Sequence, residues 1–89
     1  MSQLIRPDGS TENLLDNLTF SKIQELVGGY VETVPCINGT DTMCINEDGK
    51  LQNLHVNPEA TALADIFGDD FIAGNAITLS PDEASRILN

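Results

Sequence analysis

Asn38-Gly39, set between Ile37 and Met43, constrains this chain more than any other feature. A two-residue hairpin turn of type I′ needs positive φ at both central positions, and Asn-Gly adopts that conformation at little steric cost. The dipeptide therefore predicts a strand over Tyr30 to Ile37, which alternates and is rich in β-branched residues, returning antiparallel as Thr42 to Asn46. With a two-residue loop, Val34 faces Met43, Thr33 faces Cys44 and Glu32 faces Ile45. That register sends Cys36 and Cys44 to opposite faces of the sheet, so no disulfide joins them. Pro35 cannot donate a ladder bond, which places it at a sheet edge or at the end of its strand.

Other punctuation divides the remaining chain. Gln3 to Arg6 reads as a short strand closed by Pro-Asp-Gly, with Glu12 to Leu15 as its hairpin partner. The run ENLLDNL could equally begin a helix. Phe20, Ile23, Leu26 and Val27 make a helical stripe stopped by Gly28-Gly29, with Thr19 and Ser21 competing as N-cap. Glu47-Asp48-Gly49-Lys50 is a second turn with Gly49 suited to a bulge, and Leu51 to Val56 extends the sheet. Asn57-Pro58-Glu59 opens a helix whose stripe is Ala60, Leu63, Ala64 and Phe67, stopped by Gly68. Phe71 to Leu79 reads as a buried strand with a bulge or close approach at Gly74-Asn75. Ser80-Pro81-Asp82-Glu83 then caps a final helix that turns Ala84, Ile87 and Leu88 inward. The fold class is α+β: one domain over residues 1–89, a small, mostly antiparallel sheet built from hairpins, with two to three short helices on one face.

Charge narrows the function. Fourteen acidic residues against four basic ones give a net charge of −10. Neutralising phosphates takes clustered Lys and Arg, so direct nucleic-acid binding and an anionic membrane surface are both disfavoured. The acids are spread along the chain at turns and caps. No apolar run approaches the length of a membrane span, and MSQLIRPDGS lacks a signal-peptide pattern, so the expected compartment is the cytoplasm.

No catalytic constellation stands out. Cys36, Cys44 and His55 match no zinc spacing, and no metal or cofactor is expected. Nothing in the sequence brings His55 to either thiol, as nucleophilic catalysis would require. Glu32 with Glu47 and Asp69 with Asp70 are carboxylate pairs, but acids at this density meet by chance. Gly28-Gly29 follows a helix, whereas a phosphate loop precedes one.

The series IQELVGGYVETV, CINEDGKLQNLHVNPEATAL and GDDFIAGNAITLS resembles a family of small domains of unknown function found in bacteriophages and in bacteria carrying mobile elements. The shared pattern falls here on Gly28, Gly29 and Glu32, then Asn46, Glu47 and Gly49, then Asn57 and Gly74. It spans most of the chain. The resemblance implies a phage-type accessory gene and no particular reaction.

Most of these positions have structural explanations: positive φ at glycines, a helix cap at Asn57, a bent hairpin at Gly49. Glu32, Asn46, Glu47 and Asn57 are the expected ligand- or partner-binding residues. The expected function is binding without turnover: a counter-defence protein that inhibits a host protein, nucleic-acid-binding proteins among the candidates, through an acidic surface. The alternatives are capture of a nucleotide signal at a subunit interface and an enzyme of unknown reaction. Open sheet edges also leave room for a homo-oligomer.

Overall fold

In the computed structural model, which describes residues 2–14 and 17–88, the elements run β1 (Gln3–Ile5), β2 (Thr11–Asn13), α1 (Phe20–Val27), β3 (Val31–Pro35), β4 (Thr42–Asn46), α2 (Pro58–Leu63), β5 (Ala76–Leu79) and α3 (Pro81–Leu88). The strands form one antiparallel sheet in the order β2-β1-β5-β4-β3. The two hairpins thus flank the last strand. Central placement explains why β5 is apolar on both sides: Ala76, Ile77 and Leu79 are all buried.

Sheet alternation builds two cores. Leu4, Cys44, Ile77 and Leu79 face α1 and α3, where Ile23 and Val27 complete the packing. Ile5, Met43, Ile45 and Ala76 face the other way, against Ala60 of α2 and the segment bearing Ala64 and Ile72. The helices therefore cover both faces, not one as expected. Two thin layers suit a small chain, because a single face could not bury both sides of β5. Burying a side chain such as Ile23 or Leu79 fully contributes about 1.5–3 kcal/mol each.

The β3–β4 register is the expected one: Val34 pairs with Met43, Thr33 with Cys44 and Glu32 with Ile45. The turn differs. Cys36 N–H donates to Asp41 C=O at 3.0 Å, which leaves residues 37–40 as the loop, and only Gly39 has positive φ. Asn38 works instead through its side chain, whose Oδ1 accepts from the N–H groups of Thr40 and Asp41, each at 3.0 Å. Two- and four-residue loops are concentric on the same pairs, so the register is unchanged. Cys36 and Cys44 are buried in different cores as free thiols.

Of the two competing caps of α1, Thr19 is the N-cap and Ser21 lies inside the helix, while Gly28 is its left-handed C-cap as expected. Ser80 and Glu83 form a reciprocal capping box at α3, at 2.9 and 3.3 Å. The N-terminal hairpin forms through β2, although Leu15 of the expected partner strand lies outside the described residues.

Three expected elements change. The stretch from Leu51 to Val56 is no strand: Gln52 N–H returns to Asp48 C=O and Leu54 N–H to Gly49 C=O, and Asn53 takes φ 56°. Leu51 stays 84% exposed, so an extended strand there would have buried little. The helix opened by Asn57 stops at Leu63, because Ala64 turns extended to bridge Cys36 while Asp65 N–H donates to Pro35 C=O. Phe67 is consequently 90% exposed and Ile66 packs in its place. The strand expected over Phe71 to Leu79 shrinks to β5, preceded by a single bridge between Val56 and Ala73. Gly74, at φ 90°, is the expected close approach, for a Cβ there would lie 2.7 Å from Leu54 Cδ1.

Candidate binding site

Asn46 ends β4 with only 3% exposure. Its Nδ2 donates to Val27 C=O and to Gln52 Oε1, both at 3.2 Å, and its Oδ1 accepts from Asp48 N–H at 2.8 Å. One side chain thus ties the C-terminus of α1, the end of β4 and the turn that follows. This explains the double glycine. Gly28 supplies the left-handed cap, whereas Gly29 leaves space, since a Cβ there would sit 3.1 Å from Asn46 Nδ2. Gly49 likewise has no positive φ and serves contact instead of a bulge: its Cβ would fall 2.6 Å from the Ala73 carbonyl oxygen.

Asn57 is wholly buried and fully engaged. Its Nδ2 donates to Ile5 C=O at 3.0 Å and Gly74 C=O at 2.9 Å, and its Oδ1 accepts from Ala60 N–H at 3.1 Å. It lies apart from the hollow described next. Of the four expected site residues, the structure brings Glu32, Asn46 and Glu47 together and leaves Asn57 as an internal pin.

These three residues border a hollow of about 110 Å³ beside the edge strand β3. Val34, Ile45 and Ile72 form its apolar floor, and Lys50, Asp70 and Phe71 close its rim. Lys50 is ion-paired with Asp70 and stands 4.8 Å from the centre of the Phe71 ring. The Lys50 ammonium and the Phe71 N–H together hold the Asp70 carboxyl below its ordinary 3.8. Glu32 and Glu47 have no such partner among the described residues. Across the same turn, a shallow groove carries Glu25, Asp48 and Tyr30, which is 71% exposed. Glu32, Glu47 and Asp48 therefore stand without an ion pair among the described residues, between the Lys50–Asp70 pair and the Lys22–Glu25 pair at 3.6 Å. The sequence marked Glu32 and Glu47. It offered Asp70 only as the neighbour of Asp69 and gave no signal for Lys50 and Phe71, whose approach to Asp70 depends on the long loop between α2 and β5.

Beside the hollow, β3 exposes its backbone. Glu47 N–H donates to Tyr30 C=O and Cys36 N–H to Asp41 C=O, so the even-numbered residues of β3 carry the ladder to β4. The odd ones, Val31, Thr33 and Pro35, turn their polar groups outward. Asp65 N–H takes the Pro35 carbonyl, and no hydrogen bond among the described residues takes those of Val31 and Thr33.

The remaining reactive groups are dispersed. His55 borders a groove with Arg6 and Asn75, while Cys36 borders another with Ile37 and Leu63. Burial pushes the Cys44 thiol up to about 11 and raises that of Cys36, so both are poor nucleophiles near neutrality. Among the described residues, no three His, Cys, Asp or Glu side chains converge where a metal could sit, and no helix is long and apolar enough to cross a membrane.

No curated protein and no solved structure matches this chain. A family model does match, over residues 3–88, and the chain belongs to that family, the domain of unknown function DUF3846.

Proposed function

We propose that the domain acts by binding and not by turnover, and that its target is a basic surface on a host protein met in the cytoplasm. The observation that carries this reading is the grouping of Glu32, Glu47 and Asp48, none ion-paired among the described residues, while the nearby lysines Lys50 and Lys22 are already neutralised by Asp70 and Glu25. Such a surface attracts cations over a Debye length and steers a basic partner to one end of the sheet. The resemblance to phage and mobile-element domains supports a counter-defence role, in which occupying a host protein's basic surface inhibits it.

Two variants of equal charge test the reading. Glu32→Lys with Glu47→Lys reverses the rim, whereas Glu59→Lys with Asp82→Lys makes the same change on exposed helix starts. The reading expects binding of a lysine-rich peptide to fall at least tenfold in the first and under threefold in the second. Equal losses would reduce the effect to net charge and remove the site. Native mass spectrometry of the unsupplemented protein, purified from a bacterial host, supplies the second test: a retained mass of a few hundred daltons would favour nucleotide capture instead.

A further inference from the structure

We propose that the partner segment is extended and adds to β3 as a sixth, antiparallel strand, with basic side chains at every second position. This rests on the acidic-surface reading above and specifies how the partner is held. The outward N–H and C=O groups of Val31 and Thr33 are a ready template for a further strand. Pro35 and Asp65 close the far end, which confines an added strand to the Tyr30 half of β3, beside the carboxylates.

Pleat geometry fixes which side chains go where. In an antiparallel pair, directly opposite residues share a face. Residues bonded to Val31 and Thr33 therefore lie on the α1 side of the sheet. The residue between them stands opposite Glu32, on the side of the 110 Å³ hollow bordered by Glu47 and Asp70. A cation at that position meets Glu32 across a close, non-hydrogen-bonded pair.

Charge and backbone both argue against a second copy as the occupant. Each copy carries −10. Self-pairing centred on Thr33 would set Val31 of one copy against Pro35 of the other, which has no N–H and whose carbonyl is already taken, and self-pairing centred on Glu32, which avoids Pro35, would set the two Glu32 carboxylates directly opposite each other.

The probe is a ten-residue peptide of alternating lysine and threonine, made in three forms: unmodified, N-methylated at every threonine, and N-methylated at every lysine. Strand addition puts threonine amides in the ladder and lysine side chains over Glu32. Threonine methylation should then weaken binding at least tenfold and lysine methylation under threefold, while the Val31 and Thr33 amides gain protection from exchange only with the peptides that bind. Equal binding of all three forms, lost in the Glu32→Lys, Glu47→Lys protein, would overturn strand addition and leave the acidic surface standing. Failure of the unmodified peptide to bind at low salt would overturn both, and a dimer that forms without peptide and protects Val31 and Thr33 would overturn the choice of occupant.

Discussion

The Asn57 side-chain amide donates to the carbonyl of Ile5 at 3.0 Å, joining residues 52 apart in the chain. The same nitrogen holds Gly74, and the oxygen caps α2 through Ala60. Replacing Asn57 by Ala would leave two buried carbonyls short of a donor and one N–H without an acceptor. Losing the cap and orphaning these groups should together cost about 3–4 kcal/mol. Urea unfolding should show the midpoint fall with little change in slope.

Gly49→Ala and Gly39→Ala separate two uses of glycine. At Gly49 the new methyl would meet a backbone oxygen at 2.6 Å, which no rotamer can relieve, so about 3 kcal/mol of stability should be lost. At Gly39 there is open space and only the positive φ of 78° to oppose, costing about 1–2 kcal/mol. Thermal unfolding of the two proteins should rank them in that order.

The thiols should be silent in the folded state. Cys44 is buried with its thiol raised to about 11, and Cys36 is buried in the opposite core. An aromatic disulfide reagent at mildly alkaline pH should label neither until urea is added, then both. Mild oxidation of the folded protein should yield no intramolecular disulfide.

Glu83 gives the fold a pH dependence. Burial alone would raise its carboxyl, but bonds from the Ser2 hydroxyl at 2.6 Å and from Ser80 outweigh it and hold the group below its ordinary 4.5. A depressed carboxylate value adds stability above the unfolded value and loses it as pH falls through the folded one. Ser2→Ala should move the Glu83 titration upward toward 4.5 in carbon-detected NMR and shrink the stability difference between neutral and acid solution. An unmoved titration would contradict the assigned bond.

What could be read from the sequence was local. Asn57 and the Ser80–Glu83 pair cap helices through bonds spanning three residues, so composition and spacing sufficed there, whereas at α1 they left Ser21 and Thr19 open and Thr19 is the cap. The β3–β4 register also followed, although Asn38 takes its part through an amide side chain and not through positive φ. The irregular stretches 47–56 and 64–75 were hidden because distant chain sets them. Val56 bridges Ala73, Gly74 donates to His55, and Asn57 to Ile72, while Cys36 draws Ala64 out of α2. The site divides in the same way. The family pattern marked Asn46 and Asn57, and both serve the scaffold. The rim of the hollow depends on the loop carrying Asp70 to Lys50, a contact no local pattern encodes.

The most direct test of the binding account is a map of backbone amide shifts as the alternating lysine–threonine peptide is titrated into the isotopically labelled protein. The account predicts changes confined to β3 and residues 46–50, with Val31, Thr33, Glu47 and Lys50 moving together and the effect fading as salt is raised. Shifts spread over all acidic positions, or centred on the β2 edge, would contradict it.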